Sequence, residues 1–466
     1  MKLPGAIVAL SLVAASCTSG AARPITTSAP PPVTTTIPDD PSTTLQTTTT
    51  PPPPPHQTGL YRVDPATLSP MPGVDPLTTG DWITGHLSSN GEWLAMHVWI
   101  GTHPETDLIQ VIHTPTGEIV TQEQGRLADL IGVGDDGVIY VESHLRSLGR
   151  VRMLAPGSTR FETAVEDLPA EFQAWRSGLI DNRRLGWWGI LGGSLEEPVT
   201  GLVVADLETG QVTAHAPEGI TIGDVDQIVL DDWVVSETEV PAVVWDGVGD
   251  QAWIVHGDQD AVTVLDLATG EAELHRWSPP SSWLDSLLAW LIPPARAKGP
   301  SSYGIQRSAL LDPSGETLYV GTTVSEVVVD GDEWFIESVP AGVVAIDVLT
   351  WELVGSWEIP ASEVVLSPDA RLLVATGTTW TESLRTSEVQ TEGVFAIETD
   401  TKELAQRFDP PDAWPEVQFS PDGNYMYLGT QGGGRYDIVD LGAMQPVGDG
   451  YGSLFGGAFL ATTLRP

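Results

Sequence analysis

The stretch VQFSPDGNYMYLGT (417–430) decides the fold class of this 466-residue chain. It reads as an apolar strand, a short turn and a second apolar strand. Proline presets φ at the start of such a turn, and glycine or asparagine accepts the positive φ that follows. The stretch therefore predicts an antiparallel β-hairpin. Related hairpins occur at ALLDPSGETLYVGT (309–322) and VVLSPDARLLVATG (364–377).

A second type of hairpin alternates with the first. Its first strand ends in an acidic residue, and a turn resembling Thr-Gly leads into its second strand. The clear copies are LVVADLETGQVTAH (202–215), AVTVLDLATGEAEL (261–274), VVAIDVLTWELVGSW (343–357) and VFAIETDTKELAQRF (394–408). The two types together recur every 40–60 residues or so, which is typical of the four-stranded blades of a β-propeller, as roughly 40–50 residues make one blade.

The number of hairpins predicts the size of the ring. Hairpins of the second type begin near 60, 109, 150, 202, 261, 342, 393 and 435. The first unit (60–71) has no preceding partner and the last segment (453–464) has no following one, so we expect them to pair and close the ring. We therefore predict an all-β propeller of eight blades, with seven as the main alternative. Residues 220–257 hold an extra hairpin-like run that leaves the count open there.

These hairpins resemble the YVTN-type and TolB-like propeller repeats of bacteria, which are similar to WD40-like repeats. The resemblance is clearest over 300–466 and extends more weakly back to 82. It implies a β-propeller, and it admits lactonase-like hydrolases and some oxidoreductases as an alternative to a protein that binds a ligand or a protein partner. A second alternative is an envelope scaffold protein. No catalytic motif of those enzymes matches this chain residue by residue.

The N-terminus predicts a secreted lipoprotein. Residues 1–16, MKLPGAIVALSLVAAS, combine a basic residue, a short apolar run and small residues, as a signal peptide does. Cys17, the chain's one cysteine, follows directly. This arrangement resembles a bacterial lipobox, although Ala14 stands where that family prefers Leu, Val or Ile. The resemblance implies lipid attachment at Cys17; the alternative is an ordinary signal peptide beside an incidental cysteine.

A Pro/Thr-rich tract separates Cys17 from the propeller. Residues 24–55 contain 11 Pro and 11 Thr and almost nothing apolar. Such a segment cannot offset its ordering entropy, so we expect residues 17–57 to form a disordered stalk. The domain organisation predicted is thus signal peptide 1–16, anchor and stalk 17–57, and propeller 58–466. The location predicted is extracytoplasmic, in a bacterial cell envelope.

The charge balance excludes one class of partner. The chain carries 63 acidic and 21 basic side chains, a net charge of −42. A field of this sign repels nucleic acid, so no nucleic-acid partner is expected. The alternatives are a solubilising surface and an attraction for cationic partners.

The long connections predict a functional face. The turns within both hairpin types are minimal, so the long connections at 99–108, 191–201, 323–341 and 377–392 should gather on the opposite face of the ring. We expect them to be loops that bind a ligand, protein or carbohydrate. Trp334, Trp380 and His103 are the candidate contacts, with blade packing as the alternative for the tryptophans.

Two further features are candidates on that face. Asp330, Asp332 and Glu333 crowd one connection, and the alternatives are a Ca²⁺ site and a solvated turn; no other cofactor is expected. The insertion at 276–306 contains SWLDSLLAWL, which predicts a short amphipathic helix. Trp283, Leu287, Trp290 and Leu291 lie on its apolar side. The helix either covers the propeller or docks onto a partner or the membrane.

Overall fold

The described chain is all-β. The computed structural model describes residues 58–62, 66, 77–80, 82–88, 90–99, 108–124, 129–142, 151–158, 160–165, 168–169, 172–193, 198–220, 227–230, 233–236, 239–277, 303–330, 333–382, 387–410, 415–420, 422–430, 434–455 and 459–463. These residues form strands and turns, and no helix occurs among them. None of the described segments could therefore cross a membrane as a helix.

The strands follow one another in chain order. The first sixteen are β1 (Thr58–Arg62), β2 (Thr78–Gly80), β3 (Trp82–Leu87), β4 (Trp93–Trp99), β5 (Leu108–His113), β6 (Glu118–Gln124), β7 (Asp129–Val133), β8 (Ile139–Glu142), β9 (Val151–Leu154), β10 (Glu162–Val165), β11 (Gln173–Asp181), β12 (Arg184–Gly193), β13 (Pro198–Asp206), β14 (Val212–His215), β15 (Gln227–Leu230) and β16 (Trp233–Ser236). The remainder are β17 (Ala242–Asp246), β18 (Gln251–Val255), β19 (Ala261–Asp266), β20 (Ala272–Arg276), β21 (Tyr303–Leu311), β22 (Thr317–Asp330), β23 (Glu333–Asp347), β24 (Leu353–Trp357), β25 (Glu363–Leu366), β26 (Leu372–Glu382), β27 (Ser387–Glu398), β28 (Leu404–Phe408), β29 (Pro415–Phe419), β30 (Tyr425–Thr430), β31 (Gly434–Asp440), β32 (Gln445–Phe455) and β33 (Phe459–Thr463).

Antiparallel sheets of four consecutive strands repeat along the chain. Four of them stand alone, formed by β3–β6, β7–β10, β11–β14 and β17–β20. Two more, β21–β24 and β25–β28, are joined into one eight-stranded sheet. The strands β29–β32 begin a seven-stranded sheet, and β15 and β16 form a separate hairpin in the region where the sequence was ambiguous. The architecture is that of a β-propeller, which confirms the fold predicted from the repeats.

The two ends of the chain pair with each other. Strand β33 lies antiparallel to β1, with Thr463 opposite Thr58 and Phe459 opposite Arg62. Leu60, in the middle of β1, is fully buried. The predicted closure of the ring by the first and last strands is therefore confirmed, and β2 adds on the far side of β1.

The core lies between adjacent sheets. Along β18, Trp253 and Val255 belong to a cluster with residues of β22 and β23. Ala252 and Ile254 point the other way, into a cluster with residues of β12 and β13. Because side chains alternate across a strand, each blade buries both of its faces against its neighbours. This explains why the strands of the repeats are apolar on both sides.

One end of every blade is closed by short turns, and we call this end the turn face. Its glycines have positive φ, at Gly91, Gly137, Gly315 and Gly423 in the first type of hairpin and at Gly117, Gly210 and Gly270 in the second. Where glycine is missing, the backbone keeps that conformation, with φ of 57° at Ala370 and 58° at Trp351. The string GVGDDG (132–137) spans the end of β7 and the turn that leads to β8.

Candidate functional site

Two hairpins continue past the blades at the end opposite the turn face. Strands β22 and β23 have 14 and 15 residues, and β26 and β27 have 11 and 12. The neighbouring strand β24 is much shorter, with five residues, and it pairs with β23 only from Val343 to Ile346. The prediction that 323–341 and 377–392 are loops is therefore wrong: most of both connections is β-strand. The connection 191–201 is likewise strand at both ends.

The sequence contained a signal for the first of these hairpins. TTVSEVVVD (322–330) and EWFIESV (333–339) are rich in β-branched and aromatic residues. A Gly-Asp dipeptide at Gly331-Asp332 separates them, and a two-residue connection of this kind between such stretches is a hairpin signal. The length of the connection predicts a loop, whereas its composition predicts a hairpin.

A β-bulge marks the point where each hairpin leaves its blade. The register shifts between Thr322 and Thr323 in one hairpin and between Gly377 and Thr378 in the other. On the facing strands, Gly342 and Gly393 have φ of 110° and 130°. Only glycine adopts such a backbone without strain, so both bends depend on a residue without a side chain.

The two hairpins join into a single sheet. Strand β23 pairs with β26 through Ile336 opposite Glu382, Glu337 opposite Thr381 and Ser338 opposite Trp380. We call the projecting four-stranded sheet of residues 323–330, 333–340, 378–382 and 387–392 the hairpin platform. Its strand order is β22-β23-β26-β27. It therefore links two neighbouring blades by main-chain hydrogen bonds beyond the ring itself.

The register of the platform sorts its side chains into two chemically different faces. One row across the four strands is Ser325, Ser338, Trp380 and Val389. The next row is Glu326, Glu337, Thr381 and Glu388, on the opposite face because neighbouring residues of a strand alternate. The first row is apolar and hydroxylated, whereas the second row carries three carboxylates, with Phe335 and Val339 beside Glu337 on the same face.

Burial differs between these two rows. Ser325 and Ser338 are buried, and their hydroxyl oxygens lie 2.8 Å apart in a hydrogen bond. Ile336, on the same face, is also buried. Trp380 is half-buried, and Glu388 on the other face is exposed. The row of Ser325 and Ser338 is thus buried in part, and the row with three carboxylates reaches solvent at Glu388 of β27.

The platform holds part of the predicted binding site. Trp380 lies within β26, and Trp334 lies within β23, opposite Val329, with its side chain outside the described residues. Both are strand residues and not loop residues, which corrects their predicted setting. His103 lies outside the described residues, so the structure does not bring it to these tryptophans.

The other predicted sites stay predictions. Asp330 and Glu333 pair with each other at the far end of the β22–β23 hairpin, but their side chains and Asp332 lie outside the described residues. Among the residues that are described, no group of three or more metal-binding side chains occurs. Cys17 and the candidate docking residues Trp283, Leu287, Trp290 and Leu291 also lie outside the described residues.

A buried polar cluster lies at the same end of the neighbouring blade. His256, in the turn between β18 and β19, is fully buried. Its Nε2 is 2.8 Å from the hydroxyl of Thr263, and its Nδ1 is 2.9 Å from the amide nitrogen of Gln259. Because both ring nitrogens are hydrogen-bonded inside the protein, this histidine acts as a structural residue.

Arg307 completes this cluster from the next blade. Its guanidinium donates hydrogen bonds to Asp260 at 2.9 Å and to the Thr322 hydroxyl at 2.6 Å. Burial lowers the pKa of Arg307, and the nearby carboxylates of Asp260, Glu239 and Asp258 oppose that shift. A buried guanidinium requires such pairing, so the cluster ties β19 to β21 across the blade interface. No pattern in the sequence indicates this pairing, because Asp260 and Arg307 lie 47 residues apart in the chain.

Comparisons with known proteins assign no family to the chain. No family model and no curated protein matches the chain. Among solved structures, the chain is similar to the dihydro-haem d1 dehydrogenase NirN, with 12% identity over 85% of this chain and 73% of that one and a TM-score of 0.43.

Two further solved structures are similar at the same level. AztD from Citrobacter koseri has 10% identity over 87% of this chain and 98% of that one, with a TM-score of 0.44. An oligogalacturonate lyase from Vibrio parahaemolyticus has 11% identity over 80% and 88%, also with a TM-score of 0.44. The activities in those names are properties of those proteins.

Proposed function

We propose that this chain is a cell-surface β-propeller lipoprotein that binds a protein partner through its hairpin platform. The observation that carries the proposal is the pairing of β23 with β26 beyond the blades. Each four-stranded blade is complete without the extra residues, so the extensions are not needed to build the core. A rigid sheet raised on a propeller is a scaffold for recognition, as binding elements on firm supports are elsewhere.

The anchor belongs to the same proposal. Lipidation at Cys17 and a stalk over 17–57 would hold the propeller outside the cytoplasm, on a bacterial membrane. The described chain begins at β1, a strand of the ring closure, so the stalk would attach where the ring is closed. Replacing Cys17 with Ala should abolish labelling by a palmitate analogue, and label retained in that variant would contradict the anchor.

The ring is proposed to have eight blades. Seven four-stranded units are formed by β3–β6, β7–β10, β11–β14, β17–β20, β21–β24, β25–β28 and β29–β32. The end of β32, from Ser453 to Phe455, turns to pair with β33, and β33 continues to β1 and β2. That arrangement supplies four strands for an eighth blade. Counting blades in cryo-electron microscopy images of the ring viewed down its axis tests the number.

Site-specific crosslinking tests the binding role. A photoreactive amino acid at Thr381, on the platform, should give a discrete crosslinked partner in intact cells. The same photoreactive amino acid at Glu403, in an exposed turn of the same blade on the turn face, should give no crosslinked partner. Trp380→Ala should reduce the adduct without unfolding the protein. Equal adducts from both positions, or none from either, would contradict a platform-specific partner.

A further inference from the structure

We propose that the outer edge of β27 in the platform binds an extended segment of a basic protein by strand addition. This inference rests on the proposed binding function and names its mode and the chemistry of its partner. Strand addition supplies affinity through main-chain hydrogen bonds, and side chains alternating on the added strand supply specificity.

The edge is defined by where β28 stops. Strand β28 pairs with β27 only from Val394 to Ile397. Over 387–390, β27 pairs with β26 on one side, and no described strand pairs with the other. Arg407 marks the border, because its guanidinium donates a hydrogen bond to the main-chain oxygen of Glu392 at 3.0 Å. A cationic group thus already satisfies the backbone at the last residue before this edge.

The register predicts what the added strand must carry. A side chain directly across from Glu388 would join the row of Thr381 and Glu337, which carries three carboxylates. A side chain across from Val389 would join the row of Trp380 and Ser338, which is apolar and hydroxylated. Directly opposed side chains approach to about 5 Å, so the first should be Lys or Arg and the second β-branched or aromatic. The partner segment therefore alternates basic and apolar residues.

Charge selects against a second copy of this chain. Edge strands are commonly protected from self-association by charged side chains, and Glu388 is exposed at this edge. A second copy, with a net charge of −42, would bring like charges together. The carboxylates that repel another copy attract a basic strand, so one set of residues serves both exclusion and recognition.

Hydrogen exchange with a synthetic peptide tests the inference. The probe is a short peptide that alternates Lys with Val or Thr, added to the full chain in detergent. Backbone amides within 387–390 should exchange about tenfold more slowly in its presence, as expected for strand amides that gain a partner. A peptide with Glu in place of Lys should give no protection. Protection elsewhere, or none, would overturn the inference.

Two controls separate strand addition from attraction to an acidic surface. Glu388→Lys should weaken binding of the lysine peptide about tenfold, whereas Glu403→Lys, in the exposed turn of the same blade, should change it less than about twofold. A lysine peptide with methylated backbone nitrogens keeps the charge but cannot pair, and it should not bind. Equal binding of the methylated peptide, or no effect of Glu388→Lys, would overturn the inference.

The peptide and crosslinking experiments together distinguish strand addition at β27 from the broader proposal that the platform binds a partner. If the lysine peptide fails while crosslinking from Thr381 still captures a partner, the strand-addition mode is wrong and the platform remains a binding site. If crosslinking also fails, the proposed function is wrong. Sedimentation of the peptide-free protein shows whether a second copy occupies the edge, and a dimer abolished by Glu388→Lys would overturn the choice of a basic partner.

Discussion

The turn face and the hairpin platform lie at opposite ends of the same blades. On the turn face, local hydrogen bonds shape the connections: Asp266 accepts hydrogen bonds from the backbone nitrogens of Ala268 and Thr269 and from the Thr269 hydroxyl. Neighbouring turns also contact each other, as where the Asp135 carboxylate accepts a hydrogen bond from the backbone nitrogen of Asn90. On the platform, the decisive contacts join residues of different blades, as when Ser338 pairs with Trp380. The difference teaches that local chemistry shapes one end of this propeller and long-range strand pairing shapes the other.

The base of the platform should tolerate substitution least. A Cβ atom on Gly377 would lie 1.6 Å from the main-chain oxygen of Pro360, so Gly377→Ala must displace backbone. We expect a loss of at least about 3 kcal/mol in the free energy of unfolding, measured by denaturant titration. Gly315→Ala is the matched control on the turn face, where φ is 74° and nothing lies within 4 Å. That change should cost only about 1 kcal/mol. Equal losses would erase the contrast between the two ends.

Several turns on the turn face contact the next blade through side chains, and Trp351 tests the value of one such contact. Its indole stacks on His275 of the preceding blade at 4.0 Å and lies 5.7 Å from the ring of Trp253. Trp351→Gly would relieve the positive φ but lose both ring contacts. Because the contacts outweigh the strain, we expect a net loss of about 1–2 kcal/mol. A thermal melt at higher temperature than the parent would show that the strain dominates.

The two ends should respond oppositely to pH. Hydrogen bonds from Thr269 and Ala268 lower the pKa of Asp266, whereas burial raises the pKa of Glu416 at the platform end of β29. A lowered pKa contributes stability at neutral pH that is lost as pH falls below the unfolded value of about 4. The raised pKa of Glu416 has the opposite effect. Its contribution to the free energy of unfolding is present below the unfolded pKa and is lost as pH rises through the folded pKa.

Thermal melts at several pH values check this pair. Asp266→Asn should reduce the loss of stability below about pH 4, and Glu416→Gln should raise the melting temperature at pH 7. If Glu416→Gln instead lowers the melting temperature at pH 7, burial of this carboxylate is not a cost. An unchanged acid limb in Asp266→Asn would show that the turn contributes little.

The smallest expected effect is a gain. Ala370 has φ of 57° at the position where glycine stands in the related turns. Ala370→Gly should remove the left-handed penalty and add some entropy to the unfolded chain, for a net gain below about 1 kcal/mol. Ala361→Gly, at a buried position outside the turns, should destabilise instead. A loss of stability in Ala370→Gly would mean that the side chain of Ala370 contributes packing that outweighs its strain.

The blade hairpins and their turns could be read from the sequence because their determinants lie within a few residues. Proline, aspartate and glycine at set offsets dictate a turn whatever surrounds it, and the turn at Asp422 and Gly423 follows that rule. Closure by the two ends was also predictable, since each end was an incomplete unit. The platform was not predictable as a joined sheet, although Gly331-Asp332 signalled one of its hairpins.

The sequence by itself determined the all-β class, the repeat, the short turns and the pairing of the chain ends, because each follows from local backbone preference or from an unpaired unit. Only the tertiary structure decided that β23 and β26 share an edge and that Arg307 pairs with Asp260. Both contacts join residues of neighbouring blades, and no local sequence pattern specifies how close those residues lie in the ring. The same reason explains why Trp380 was recognised as a candidate while its place in a strand, opposite Ser338, was not.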